Sequence, residues 1–381
     1  MMPFAPSVPH NRPSARASPA PQRTRDPFFD NAKYLLVTLV VIGHIWGSLL
    51  PAELDTVRGA YFVVYLFHMP AFILLCGYFS RGFTGRPDQV RALIARVLVP
   101  YLVFTVAYRA LYTVIWGSSF ALTPTEPTYL LWFLVALFLW RLTTPVWQAI
   151  RYAVPVAVVI SLGAGLTGMD YELALPRVLM FLPWFVLGLR LRPEHFHRLR
   201  TPLCRASAVV VLLVALGSAY VMAPSHDVRW LHMQYSNDDL HSAWPDYLMT
   251  RMFLFAVSAA LVAAFFALVP TRRTPFTALG AVTMFPFLTH GLLVQIGQAY
   301  GAGDQLARLG ALAVVVTPLL GVAVSVLFSS APVRRVLRPV VEPRFPRRLV
   351  REQHQDVSTA ASVCDARRGN DESPSGANPL K

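Results

Sequence analysis

Apolar residues run through most of this chain in stretches long enough to cross a bilayer. A transmembrane helix needs about 20 mainly apolar residues, within a range of about 17–25. Runs of this length predict ten spans, near residues 34–51, 60–79, 94–116, 128–147, 152–168, 173–190, 206–223, 248–269, 276–298 and 306–329. The predicted fold class is an all-α polytopic membrane protein embedded in the lipid bilayer.

Polar residues between these runs predict the orientation. Every second connection is rich in arginine, whereas the others carry aspartate and glutamate. Because basic loops stay in the cytoplasm, ten spans place both termini there, and the expected location is the cell membrane. Residues 1–29, which lack the apolar core of a signal peptide, are predicted to be a disordered cytoplasmic segment. Residues 30–330 form the membrane domain, and residues 331–381 form a basic, then disordered, cytoplasmic tail.

Composition supports the membrane assignment and limits the partners. Of 381 residues, 55% are hydrophobic and only 14% are charged, which is more apolar surface than one soluble core buries. The formal net charge of +14 would suit nucleic acid, but the arginines lie in short blocks between apolar runs, so no nucleic-acid partner is predicted. The three cysteines have no spacing typical of a disulfide framework or a metal site.

Lys33 and His44 place a cation and an imidazole in the first predicted span. Eleven helical positions bring them to about the same face, about 16 Å apart along the axis. With Lys33 at the cytoplasmic surface, His44 is expected near the middle of a hydrocarbon core about 30 Å thick. Such groups usually mark function, although Lys33 as a snorkelling anchor and His44 as a core histidine remain alternatives. Asp30, one turn before Lys33, is expected to orient it.

The second and third spans add more polar candidates. His68 precedes Pro70, which removes a helix hydrogen bond, so His68 is interpreted as either a structural or an acceptor-side residue. Gly77 is expected to allow close helix packing. Arg96 and Arg91 stand at the cytoplasmic mouth, where guanidinium groups suit phosphate, with an interfacial anchor favoured for Arg91.

Two deeper groups and one outer segment complete the candidates. Arg109 lies about 20 Å beyond Arg96 by helical rise and should face a cavity or a partner. His290 is a further intramembrane imidazole, and Pro286 before it predicts a kink. The outer segment, residues 224–247, is interpreted as a solvated loop or a site for a metal or acceptor; its histidines are His226, His232 and His241. The loop is favoured, and no metal is predicted. Trp132 is assigned to interfacial packing.

Together these motifs resemble the acyltransferase-3 family of membrane O-acyltransferases, most closely its fucose-acetylase-like branch. The resemblance covers about residues 26–330. It rests on Asp30-x-x-Lys33-x10-His44, Phe67-His68-Met69-Pro70 leading to Gly77-Tyr78-Phe79, Arg96-x3-Pro100-Tyr101, Leu131-Trp132-Phe133-Leu134 and Thr289-His290.

The resemblance implies a ten-helix enzyme that takes an acyl group, commonly acetyl, from cytoplasmic acyl-CoA. It implies a hydroxyl acceptor on a sugar, a glycan or a glycosylated small molecule. Lys33 and His44 fall on the family's essential pair, and Arg96 falls on its arginine before Pro-Tyr. Cys76 stands where many relatives have serine, which is a departure from the pattern.

The expected chemistry assigns each group a task. His44 is predicted to be the general base or an acyl relay. Lys33 and Arg96, with Arg91, are predicted to bind the CoA phosphates, while Arg109 and His290 line the deeper cavity. A proton-coupled small-molecule exporter is the alternative, but the motifs concentrate in the first three spans, which favours an enzyme.

Overall fold

The computed structural model describes residues 25–343, and its regular structure within that range is entirely helical. The longer helices are numbered here in chain order: α1 Pro27–Gly47, α2 Asp55–Ser80, α3 Pro87–Trp116, α4 Tyr129–Leu142, α5 Ala153–Ala164, α6 Glu172–Met180, α7 Leu182–Arg190, α8 Pro202–Ser225, α9 Trp244–Leu268, α10 Met284–Ala299, α11 Gly310–Phe328 and α12 Ala331–Val341. Short helices lie between them at Leu50–Ala52, Thr144–Ala149, Pro193–Arg198, Val228–His232, Thr277–Ala281 and Ala302–Ala307.

The long apolar helices make this a polytopic membrane protein. Among residues 25–343, six helices are long and apolar enough to cross a membrane, namely α1, α2, α3, α8, α9 and α11, and α6 with α7 adds a seventh if the bent pair is one span. Three of the ten predicted spans correspond to the shorter helices α4, α5 and α10. The count of ten and the cytoplasmic location of both termini therefore stay predictions.

Three of the predicted spans are irregular. The span predicted at 276–298 begins as a helix only at Met284, so Pro286 lies in the first turn of α10. A first-turn N–H has no intrahelical acceptor, so proline is tolerated there and the predicted kink is wrong. In α3, Pro100 follows a π-turn at Ile94–Leu98. Between α6 and α7 the axis bends by 56°.

Glycines allow α2 and α7 to meet through their backbones. A Cβ on Gly77 would collide with the carbonyl oxygen of Phe185, and one on Gly188 would collide with that of Leu74. Both positions therefore require a hydrogen in place of a side chain, because backbone atoms cannot move aside as a flexible side chain can. The close packing expected at Gly77 is confirmed.

Helix α1 occupies the centre of the bundle. In the most apolar 18-residue stretch of α1, 72% of the residues are buried. The corresponding share for α8 is 11%, so α8 faces outward along most of its length. The Asn31 side chain donates to the carbonyl oxygens of Pro270 and Arg272, at 2.9 and 3.0 Å, and fixes the start of the helix. Near its other end, the Trp46 indole N–H donates to Thr317 Oγ1 at 2.7 Å. The helix that carries Lys33 and His44 is thus held at both ends.

The last described helix, α12, carries three basic residues of the predicted cytoplasmic tail. They are Arg334, Arg335 and Arg338, and Arg338 pairs with Glu342 at 3.3 Å. The disorder predicted for both chain ends falls mostly on residues 1–24 and 344–381, which lie outside the described residues.

Candidate functional site

A cavity of about 440 Å³ lies at the outer end of the bundle, the end that the predicted orientation places outside the cell. Its wall combines helices with the segments that connect them. The residues with side-chain N or O atoms in this wall are His44, Tyr61, Tyr65, His68, Tyr129, Trp132, Tyr171, Arg177, His232, Gln234 and Gln298. This space is called the His44 cavity below. It is rich in imidazole and phenol groups, and no described residue of its wall is Asp or Glu.

His44 lies in the last turn of α1, three residues before the helix ends at Gly47. It is thus close to the outer end of α1, whereas the sequence predicted a position near the middle of the membrane. The helix ends earlier than predicted because Ser48 caps it, donating from Oγ to the carbonyl oxygen of Ile45 at 2.7 Å. The ring centroid of His44 is 4.8 Å from that of Tyr129 and 5.2 Å from that of His290.

His290 lies fully buried beside His44 and keeps one nitrogen free. Its Nδ1 is 2.7 Å from the carbonyl oxygen of Pro286. Because a carbonyl only accepts, Nδ1 carries the proton and Nε2 keeps its lone pair. This buried Nε2 has no hydrogen-bond partner among the described residues. The structure therefore joins the two histidines that the sequence named separately, and His290 can accept a proton or a hydrogen bond.

His68 bonds to its own helix and also lies in the wall of the His44 cavity. Its Nδ1 bonds to the carbonyl oxygen of Val64 at 2.7 Å, which fixes the same tautomer as in His290. The carbonyl that Pro70 leaves free is instead that of Leu66, four residues before the proline. His68 is also part of the cavity wall, with its ring centroid 4.7 Å from that of Tyr65.

Lys33 lies at the opposite end of α1 and has the predicted acidic partner. Its Nζ is 2.6 Å from Asp30 Oδ1, and 23% of its side chain is exposed. The Nζ also lies 5.7 Å from the centroid of the Phe79 ring. The neighbouring Ser80 accepts a hydrogen bond from Arg141 Nε at 3.1 Å, so a second cation approaches this end of α2. Arg141 was not a sequence-predicted site residue.

Arg91 and Arg96 are exposed on α3. Neither makes a hydrogen bond or ion pair with any residue in the range 25–343, and no such contact joins Lys33 to Arg96. The predicted phosphate-binding set is therefore not preassembled. Exposed guanidinium groups remain free to meet an anionic ligand.

Arg109 faces a different space from the one predicted. It lines an adjacent outer cavity of about 470 Å³ together with Glu126, Asp170 and Glu172. Its Nη2 donates to Thr123 Oγ1 at 2.7 Å and lies 3.8 Å from Glu126 Oε2. The side chain reaches the loop after α3, so Arg109 does not line the His44 cavity. His290 lies beside His44 but is not part of the cavity wall either, so the prediction that Arg109 and His290 line one deeper cavity is wrong.

Sequence reasoning missed several residues of the His44 cavity. Arg177 is a cation inside the span predicted at 173–190, the same signal that selected Arg109. Trp132 lies in the cavity wall as well as packing against neighbouring rings. Tyr65 and Tyr129 carried no sequence signal, because a tyrosine in an aromatic-rich span resembles any core residue.

His232 corrects the view of the outer segment as a solvated loop. Its Nε2 is 2.9 Å from the Tyr61 hydroxyl, and the ring belongs to the cavity wall. Burial lowers the pKa of His232 to about 4, and the charge of Arg177 acts in the same direction. Within the described residues, no group of three or more His, Cys, Asp or Glu side chains could hold a metal ion.

Arg251 fixes the outer segment onto the membrane helices. This buried α9 residue donates to the carbonyl oxygen of Trp230 at 2.6 Å and to that of Tyr235 at 3.3 Å. Its guanidinium also lies about 5 Å from the ring centroids of Trp230 and Tyr247, at 5.1 and 5.0 Å. These contacts hold the intervening His232 against the cavity.

Known proteins identify the class of this chain. A family model described as an acyltransferase domain matches residues 26–331, so the chain belongs to the acyltransferase-3 family. Together with the membrane helices, this match makes the chain a membrane acyltransferase.

Two related proteins are both nodulation proteins named NolL. The chain is 26% identical to the nodulation protein NolL of Sinorhizobium fredii (strain NBRC 101917 / NGR234), in a match that covers 86% of this chain and 94% of that protein. It is 44% identical to the nodulation protein NolL of Mesorhizobium japonicum over 66 residues, which are 17% of this chain and 18% of that protein. No solved structure matches the chain significantly.

Proposed function

We propose that this acyltransferase moves an acyl group, with acetyl expected, from cytoplasmic acyl-CoA to a hydroxyl of a sugar, a glycan or a glycosylated small molecule. The observation that carries the proposal is the pair of His44 and His290 at the His44 cavity. Their ring centroids are 5.2 Å apart, and His290 Nε2 is free within the described structure. A buried imidazole beside an open space is suited to proton transfer from an alcohol.

The proposed step is a direct substitution at the thioester. The acceptor hydroxyl oxygen attacks the carbonyl carbon, the new C–O bond forms, and the C–S bond breaks. His44 takes the hydroxyl proton and delivers it to the departing CoA thiolate. As a second route, a His44 nitrogen attacks the thioester carbon and the C–S bond breaks to release the CoA thiolate. The acceptor hydroxyl then attacks the acyl-imidazole, the C–N bond breaks, and the released His44 nitrogen takes the hydroxyl proton and passes it to the thiolate. In either route His290 Nε2 can accept a hydrogen bond from a group at His44.

The donor is proposed to enter from the end that carries Lys33. Helical rise separates Lys33 from His44 by about 16 Å, and the phosphates of acyl-CoA lie at the end of the molecule opposite to the thioester. Lys33 would bind a phosphate while remaining oriented by Asp30, and the exposed Arg96 and Arg91 would add contacts. Arg141, which reaches Ser80 near Lys33, is an additional candidate.

The acceptor is proposed to bind in the His44 cavity. Phenol, imidazole and amide groups in its wall donate and accept hydrogen bonds with sugar hydroxyls. The wall includes His232 and Gln234 of the outer segment, so the acceptor would lie between α1 and that segment.

Purified protein with radiolabelled acetyl-CoA and extracted glycolipids or glycosides tests the proposal. The parent should transfer label to a hydroxyl, and His44→Ala should be slower by about 10²–10⁴-fold, the usual loss of a general base. His197→Ala removes an exposed histidine on the other side of the bundle and should match the parent. Equal transfer by His44→Ala would remove His44 from the mechanism, and transport without label transfer would favour an exporter.

A further inference from the structure

Arg177 is the only fixed cation in the described wall of the His44 cavity, and that wall has no carboxylate. No Asp or Glu within residues 25–343 lies within 4.0 Å of its guanidinium nitrogens. Arg177 is half-buried, and a partly desolvated cation without a nearby counter-charge attracts an anion more strongly than a fully exposed one. The mechanism proposed above does not use this group.

The guanidinium of Arg177 is held in one orientation. Its Nε donates to the carbonyl oxygen of His232 at 3.3 Å. Its central carbon lies 4.8 Å from the ring centroid of Trp132 and 5.6 Å from that of Tyr171. Neither Nη group makes a hydrogen bond with another described residue. Two N–H-bearing nitrogens are therefore left for a ligand, in the planar arrangement that suits carboxylate, sulfate or phosphate oxygens.

The position of Arg177 indicates which substrate it would meet. His44 contacts Tyr129, Trp132 follows Tyr129 by about one helical turn, and Arg177 lies on Trp132. Arg177 is thus displaced from His44 by a layer of aromatic rings, which places it beside the part of an acceptor that lies beyond the reacting hydroxyl. The phosphates of CoA are proposed to bind near Lys33, at the opposite end of α1.

We infer that Arg177 binds an anionic group of the acceptor, so that the preferred acceptor is a sugar carrying a carboxylate, sulfate or phosphate close to the acylated hydroxyl. The inference rests on the proposed transfer to a sugar. The neighbouring cavity contains acidic groups, but Glu126 is near Arg109 and the side chains of Asp170 and Glu172 do not contact Arg177. Those two carboxylates lie towards solvent, where water and salt screen their charge.

Kinetics with p-nitrophenyl β-D-glucoside, the corresponding glucuronide and the glucoside 6-phosphate test this inference. The parent should have a lower KM for both anionic glycosides than for the neutral one. Arg177→Gln should raise KM for the anionic glycosides by about 10- to 100-fold, the range expected for losing a charged hydrogen bond, and should affect the glucoside much less. Arg177→Lys should retain part of the preference, because the charge survives without the planar fork.

Arg229→Gln is the matched control, since Arg229 lies in the outer segment but bonds to Asp227 at 2.6 Å and is absent from the cavity wall. It should retain the parent preference. Equal KM values for neutral and anionic glycosides in the parent would overturn the inference. An equal fall in kcat for all three glycosides in Arg177→Gln would also overturn it and would assign Arg177 to the reacting carbonyl oxygen instead.

A binding measurement separates this inference from the proposed function. Quenching of tryptophan fluorescence by glucuronic acid, without acetyl-CoA, should saturate in the parent and in Arg229→Gln but not in Arg177→Gln. Such binding without any acetyl transfer would support the anion site while contradicting the acyltransferase proposal. Saturation at the same concentration in Arg177→Gln would contradict the anion site whatever the transfer activity. A folding defect of Arg177→Gln would appear as a shifted elution volume. In that case the binding of glucuronic acid is compared between the parent and Arg177→Lys.

Discussion

Acid should loosen the outer segment, because His232 is held uncharged against Tyr61. Burial and the nearby charge of Arg177 together lower the pKa of His232 from 6.5 to about 4, and Asp227 opposes the shift. Below pH 6.5 an opened segment therefore binds more protons than the closed one. The closed state is fully stable above that pH and loses stability as the pH falls towards 4.

The size of the effect follows from these two pKa values. Between pH 8 and pH 5, the opening equilibrium of the segment should increase by about 30-fold, which corresponds to about 2 kcal/mol. Arg251 keeps its contacts with Trp230 and Tyr235 throughout this range, because a guanidinium does not titrate there. The change should therefore be a higher frequency of opening and not a permanent release.

Hydrogen exchange of the amides in residues 228–235, corrected for the intrinsic pH dependence of exchange, measures this equilibrium. His232→Gln should abolish the pH-dependent part, because glutamine does not titrate. His226→Gln alters an exposed histidine of the same segment and should keep it. The reasoning is refuted if the parent shows no increase in opening, or if His232→Gln shows the same increase.

Three further predictions concern the helix contact at Gly77, the contacts of Arg251 with the outer segment, and the charge of Lys33. Gly77→Ala should destabilise the protein by about 1–3 kcal/mol, because the added methyl group meets a backbone carbonyl. Gly82→Ala should be near neutral, because no atom lies within 4 Å of a Cβ added there. Thermal unfolding in detergent compares the two variants. Arg251→Met should leave two carbonyl oxygens without their donor, which should destabilise the closed outer segment by about 1–3 kcal/mol and speed its proteolysis. Unchanged cleavage would show that other contacts hold the segment. Lys33→Ala should raise KM for acetyl-CoA by about tenfold and Lys33→Arg should raise it less; a change in acceptor KM alone would assign Lys33 to the acceptor.

The sequence by itself determined the class of the protein and the candidates on single helices. Long apolar runs require a membrane, because no soluble core buries so much hydrocarbon. The spacing of Asp30, Lys33 and His44 needs only helical geometry, and the observed Asp30–Lys33 pair at 2.6 Å follows from it. The effect of a proline on its helix is also local, but the sequence predicted a span that starts at residue 276, whereas the helix that contains Pro286 starts at Met284.

Tertiary structure alone decided which of these groups share a space. His44 and His290 are 246 positions apart, and Arg177 and His232 come from a bent helix and an outer segment. The inward-facing sides of apolar helices have similar sequences. The local sequence therefore does not specify which two helices pack against each other. Backbone contact at Gly77, the contacts of Arg251 and the direction of the Arg109 side chain are set by how the helices pack. Helix packing brings His44 and His68 of the motifs together with Arg177 and His232 in the wall of the His44 cavity.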